Sequence, residues 1–197
     1  MTRRVELFCE DSAHESCARA LVERIAREVQ VSASLHTATA SSGVGRLKRE
    51  LKAFQALASR RSGTPDLLVV LVDANAVGPA ARRAEIEDIL DTTVFPHHVV
   101  GTPDPCVERW LLADPTSFAE KFGVQPDITK TSDRDAWKTR LVETLEDAGQ
   151  IVVQGGAELS EEIIDQMDFY QAGSHDPTIR AFTNDLRASL RRLAEEG

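Results

Sequence analysis

The sequence predicts an α/β fold: a mostly parallel four-stranded sheet flanked by helices, with a helical C-terminal extension. Two observations carry this expectation. Residues 66 to 75 read DLLVVLVDAN, an aliphatic run too short to cross a bilayer and rich in Val and Leu, as suits a strand covered on both faces of a parallel sheet. Between Arg3 and Val100, segments of strand character alternate with segments of helical period, and right-handed crossovers between such strands make the sheet parallel.

Arg3 to Cys9 (RRVELFC) reads as the first strand. A helix follows from about Ala13 to Val29, where Cys17, Leu21, Ile25 and Val29 recur at a four-residue step and Ser12 is available as cap. Val31 to Thr37 alternates as VSASLHT, a second strand, and ATASSGVG is loop by composition. The next helix covers RLKRELKAFQALASRR, Arg46 to Arg61, with Leu47, Leu51, Phe54 and Leu57 on one face. SGTPD is a turn, DLLVVLV the third strand, and Pro79 to about Leu90 a helix with its proline near the first turn. Thr93 to Val100 (TVFPHHVV) supplies a fourth strand, edge-like at Pro96. Beyond Gly101, helices are expected around Val107 to Leu112, at FAEKFG, from Asp133 to Asp147 with Trp137, Leu141 and Leu145 in register, from Leu159 to Met167, and from Ile179 to Leu193. Residues 1–115 then form the α/β core and 116–197 a helical extension packed on it.

The chain has 197 residues, 42% hydrophobic and 28% charged, which suits one soluble globular unit. No segment approaches the ~20 apolar residues of a membrane span. MTRRVELFCED meets an acid before any signal-like apolar stretch, so a cytoplasmic location without membrane contact is expected. Cys9, Cys17 and Cys106 form no CxxC pair; they read as small buried hydrophobes rather than a disulfide framework or zinc site. The formal charge of −9 is unevenly spread: Arg46, Lys48, Arg49, Lys52, Arg60 and Arg61 sit in one helix with a single acid, Glu50. That helix is either a DNA or RNA footprint, through Arg46, Lys48, Arg49 and Lys52, or a solvated face.

Consecutive parallel strands deliver their carboxyl ends to one rim, where ligands bind. Glu10 and Asp11 follow the first strand, Asp73 and Asn75 the third, and Glu108 lies beyond the fourth, between Asp104 and Asp114. Clustered carboxylates raise one another's pKa unless a cation sits among them. Glu10, Asp73 and Glu108 are therefore expected around one hard divalent ion, Mg²⁺ or Mn²⁺, able to polarise a phosphoryl oxygen and orient water. Each acid also has a plainer account. Asp73 is too far from Gly78 and Pro79 to cap their helix directly. Glu10 can pair with Arg3 or Arg4, Asp11 and Ser12 can cap the first helix, Glu108 suits a helix first turn, and Asp114 can start the helix after it. His14 reads as a surface histidine on the first helical turn, or else as a proton shuttle at the same rim. His97 and His98 point to opposite faces of an edge strand, and His175 lies in a turn, GSHDP.

At these residues the chain resembles a topoisomerase-primase (Toprim) domain. FCEDSAHE is similar to that family's glutamate motif through Glu10, and LVDAN to its Asp-x-Asp through Asp73 and Asn75. PDPCVERWLLAD is similar to a segment of small standalone Toprim-like proteins related to the nuclease half of the OLD (overcoming lysogenization defect) enzymes, often linked to antiphage defence. The resemblance covers about the first 115 residues. It implies Glu10 as general base or acid and metal contact, Asp73 and Asn75 as holders of the divalent ion, a separate ATPase partner, and a homodimer. Asp11 stands where the family has glycine, and Asn75, which offers a carbonyl oxygen but no charge, replaces the second Asp. Two functions follow: a Mg²⁺/Mn²⁺-dependent nuclease acting on DNA or RNA, or an interaction or regulatory subunit that kept the scaffold and lost catalysis. A nucleotide phosphotransferase is a third option. No GxSxG, GxxxxGK[ST] or complete GxGxxG occurs; SSGVGR offers only backbone amides to a phosphate.

Overall fold

The computed structural model describes residues 1–39, 43–60 and 63–196. Its first half alternates β1 (Arg3–Cys9), α1 (Ser12–Glu28), β2 (Ala33–Thr39), α2 (Gly43–Ala58), β3 (Leu67–Leu71), α3 (Pro79–Glu87) and β4 (His98–Gly101). The four strands form an all-parallel sheet in the order β2-β1-β3-β4. β3 sits inside it with every residue buried, which is why its sequence is an unbroken apolar run rather than an alternation.

Local hydrogen bonds set the element boundaries. Asp11 rather than Ser12 caps α1, its side chain accepting from the His14 amide. Val31 is still tied to the end of α1, donating to the Ala26 carbonyl at 2.9 Å, so β2 begins at Ala33. α2 starts at Gly43 and ends at Ala58; Ser41, Ser42, Arg61 and Ser62, parts of the expected loops and helix end, lie outside the described residues. Leu57 does not join the buried face of α2, being 53% exposed near the helix end. The first half of TVFPHHVV is a turn rather than strand: Val94 and Phe95 both donate to the Asp91 carbonyl, and the Thr93 hydroxyl donates to the Asp91 side chain.

The C-terminal half adds α4 (Val107–Leu111), α5 (Pro115–Phe122), α6 (Arg134–Asp147), α7 (Ser160–Gln166), α8 (Phe169–His175) and α9 (Pro177–Glu195). Aspartates cap four of these: Asp114, Asp133, Asp168 and Asp176 each accept from amides of the following turn. α8 was not legible as a helix, and His175 closes it instead of lying in a turn. FYQAGSH has no apolar period; the Asp168 cap and close packing on α9 make it helical. At Gly173 an added Cβ would stand 2.9 Å from Arg180 Cβ.

The sheet separates two apolar layers. On one face Phe8, Leu68, Val70 and Val100 meet Leu47 and Leu51 of α2, Ile86 of α3 and Phe95. On the other, Val5, Leu7, Val69 and Val99 meet α1 together with Trp110, Trp137, Leu141, Phe182 and Leu186. The C-terminal helices thus share one continuous core with β1, β3 and β4. No helix among the described residues is long and apolar enough to cross a membrane.

At Gly101 this layer packs tightly on the sheet. A Cβ there would come 2.4 Å from Leu71 Cδ1 and 2.7 Å from Phe182 Cδ2. Gly101→Ala is expected to lower unfolding free energy by about 1–3 kcal/mol through overpacking, measured as a shift in the urea midpoint. An unshifted midpoint would contradict the seating of α9 against β4.

Candidate metal centre

Main-chain bonds carry two acids past the strand ends to the same rim. The Glu10 amide donates to the Leu71 carbonyl at 3.2 Å, the Val72 amide to Gly101, and the Ala74 amide to Pro103 at 2.7 Å. Between Val72 and Ala74, Asp73 is fully buried and held on every side. Its amide donates to Glu10 Oε2 at 3.1 Å, and its carbonyl accepts from Arg82 Nε at 3.2 Å. Its Oδ1 lies 2.7 Å from His14 Nε2, and its Oδ2 lies 3.0 Å from Arg134 Nη2.

His14 is 1% exposed, so it is not the surface histidine its place on the first helical turn suggests. α1 starts directly above the rim, and the Asp11 cap turns the imidazole inward: Nδ1 faces Asp11 Oδ1 at 2.7 Å. Burial alone would lower the His14 pKa, but hydrogen bonds to Asp11 and Asp73, with their charges, outweigh it and raise the pKa to about 10. At neutral pH His14 is a cation between two carboxylates. Burial works against ionisation of Asp11 too, yet the His14 hydrogen bond and charge hold its pKa well below the usual carboxylate range.

Ligand atoms of Glu10, His14 and Asp73 all lie within 4.8 Å of one another, and these three buried residues can hold a metal ion. To serve as a ligand, His14 must give up the proton on Nε2. Glu108 is outside this group. It is 6% exposed, in the first turn of α4, with Oε1 3.8 Å from Lys138 Nζ. Asn75 opens a 3₁₀ turn, Asn75–Val77, at φ 49°, a left-handed position that asparagine tolerates better than most residues.

The plainer accounts of the acids divide. Arg3 pairs with Asp66 and Arg4 with Glu6, so neither takes Glu10. Asp114 caps α5 through the Ser117 amide and also accepts from the Asp168 amide at 2.7 Å. The helix after Asp73 is capped by Gly78, not by the acid. Away from the centre, His97 meets Glu196 at 3.2 Å and His98 faces the Phe95 carbonyl.

Contrary to the expectation from sequence, the carboxylate cluster does not depend on a bound ion for compensation. The protein supplies cations of its own: His14, Arg134 and Lys138. The two from α6 had not been singled out. A signal existed, since Arg134 and Lys138 stand four residues apart at the start of a helix, where the dipole disfavours positive charge. Cations there favour acidic partners, and these are Asp73 after β3 and Glu108 in the first turn of α4.

α2 begins beside the same centre. Gly43 has φ 73°, and a Cβ on it would stand 4.0 Å from Glu10 Oε1. Of the basic residues on this helix, Arg46 pairs with Glu50 and Lys48 with Glu85, each at 2.6 Å. Arg49 and Lys52 are exposed and make no ion pair among the described residues.

Comparison with protein-family models, curated proteins and solved structures returned no match. Fold and centre together define an α/β protein with an all-parallel four-stranded sheet and a buried Glu-His-Asp group able to bind a metal ion.

The raised pKa of His14 ties stability to pH. Protonation stabilises the metal-free fold fully below the unfolded-state pKa of ~6.5, and this contribution is lost as pH rises toward about 10. In the presence of EDTA, His14→Gln should lower the melting temperature most near neutrality, with the gap to wild type narrowing steadily up to the alkaline end. A gap constant across that range would show that the imidazole is neutral throughout.

Proposed function

We propose that the chain is a divalent-metal-dependent nuclease, hydrolysing phosphodiester bonds of DNA or RNA. The observation that carries this reading is the convergence of Glu10, His14 and Asp73 at the carboxyl edge of a parallel sheet, beside the start of a cationic helix. Two carboxylates and one imidazole fit Mn²⁺ well and Mg²⁺ less well, because Mg²⁺ prefers oxygen ligands alone. Such an ion would polarise a phosphoryl oxygen and present a water nucleophile.

The chain's own groups account for the rest. Asp73, fixed through its amide, its carbonyl and both side-chain oxygens, holds its position. Glu10 is oriented by the Asp73 amide on Oε2, while Oε1 faces the start of α2. We assign it the role of general base toward the attacking water. The Toprim resemblance adds Asn75 as a further oxygen contact, whereas Glu108 stands with Lys138 outside the ligand group. Arg49 and Lys52 are the α2 cations free to meet a phosphate backbone, supported by Arg46 and Lys48. The Toprim resemblance supports the same reading and extends it to a separate ATPase subunit, a homodimer and a part in antiphage defence.

A second reading has its own support. Both side-chain oxygens of Asp73 already face cations, His14 and Arg134, and Asn75 stands where a second acid would strengthen metal binding. A regulatory or interaction subunit on the same scaffold would need no ion at all.

Supercoiled plasmid incubated with wild-type protein and Mn²⁺ should be nicked, and Asp73→Asn and Glu10→Gln should each slow nicking by about 100-fold or more. Equal rates in wild type and both variants would refute the nuclease. Mn²⁺ should also raise the melting temperature of wild type but not of Glu10→Gln; indifference to metal in both favours the second reading.

Reversing charge on the exposed helix face, with Arg49→Glu and Lys52→Glu together, should weaken duplex binding about tenfold and flatten its salt dependence. Fluorescence anisotropy across a salt series measures both. An unchanged salt slope would move the nucleic-acid contact away from α2.

A further inference from the structure

Arginines that serve this fold are anchored at several points. Arg82, 7% exposed, donates from Nε to the Asp73 carbonyl and from Nη1 to Glu85. Arg109 faces Asp176 at 3.0 Å and donates to the carbonyls of Asp104 and His175. Arg134 differs. It makes one ion pair, from Nη2 to Asp73 Oδ2 at 3.0 Å. Among the described residues its buried Nε has no acceptor, and Asp73 Oδ2 receives no well-aligned hydrogen bond.

The root of this side chain is fixed by main-chain contacts, while its tip is held by a single ion pair. The Arg134 carbonyl accepts from the Cys106 thiol at 3.8 Å, and Asp133 caps the helix that Arg134 begins. Its side chain is 33% exposed, so the guanidinium lies between a buried carboxylate and solvent. A long flexible stem can carry it from one to the other without moving α6 or the sheet.

We propose that Arg134 is exchanged between two anions, as counter-ion of Asp73 when the centre is free of metal and as ligand of the substrate phosphate when the centre is loaded. This rests on the metal-dependent nuclease reading above. A divalent ion on Asp73 and Glu10 supplies the positive charge that the guanidinium otherwise supplies, and two cations sharing one carboxylate repel each other. The displaced guanidinium then stands at the mouth of the centre. Its planar fork, completed by the Nε that now lacks an acceptor, matches two oxygens of a phosphodiester. Lys138, one turn along α6, remains with Glu108, so removing the Arg134 charge does not empty the rim of cations.

The exchange predicts effects of opposite sign on metal and substrate. An arginine that only braced Asp73 would, when removed, loosen the centre and weaken both. Calorimetric titration of the full chain with Mn²⁺ should show Arg134→Gln binding roughly tenfold tighter than wild type. In plasmid nicking at saturating Mn²⁺, the same variant should show a KM for DNA raised about tenfold. Arg134→Lys keeps the charge but loses the fork; its Mn²⁺ affinity should stay near wild type while its KM rises. Should Arg134→Gln fail to fold, an unchanged KM in Arg134→Lys overturns the proposal. Unchanged or weaker Mn²⁺ binding by folded Arg134→Gln, with wild type binding Mn²⁺ normally, overturns the exchange alone. Failure of wild type to bind Mn²⁺ removes the metal reading and the exchange together.

Discussion

A carboxylate taken wholly out of water at the end of a buried strand must find its compensation inside the protein, and Asp73 finds it from three separate elements. His14 of α1 and Arg134 of α6 meet its two oxygens, while Arg82 of α3 holds its carbonyl. An isolated buried charge costs several kcal/mol even after relaxation; His14 and Arg134 offset that cost at the two oxygens, and Arg82 holds the main chain that carries them. The positions of α1, α3 and α6 around the rim are in that sense tied to one side chain.

The same arrangement gives the centre two sources of compensating charge. With protein cations alone, Asp11 and Asp73 share His14, Arg134 faces Asp73, and Lys138 stands near Glu108. A metal ion held by Glu10, His14 and Asp73 would bring its own positive charge instead, with His14 giving up a proton. A site that is stable in the first state competes with its own ligand in the second. That competition would set how tightly an ion is held, because Glu10, Asp73 and Glu108 are all buried.

The C-terminal helices belong to this account as much as the sheet does. Trp137 and Leu141 of α6 and Phe182 and Leu186 of α9 are buried in the same cluster as Val5, Leu7 and Val69. Packing of Trp137 fixes the rotation of α6, and that rotation aims Arg134 and Lys138, three residues before it and one after, at the rim. A segment that reads in sequence as an appendage therefore completes the electrostatics of the centre.

The chain order of apolar runs and helical periods was enough to settle the parallel sheet, because burial on both faces leaves a local signature that DLLVVLV carries in full. It also placed Glu10 and Asp73 at one edge, since strand ends in a parallel sheet share a side whatever the strand order. It did not reveal that His14 is buried, that Glu108 faces Lys138, or that Arg134 meets Asp73. Those facts depend on the rotation of α1 and α6 about their axes and on contacts between residues 14, 73 and 134. A short polar residue in a helix first turn looks the same in sequence whether it faces solvent or a buried carboxylate. Local periodicity determined the elements and their common edge; only the packing of distant helices decided which charges face one another.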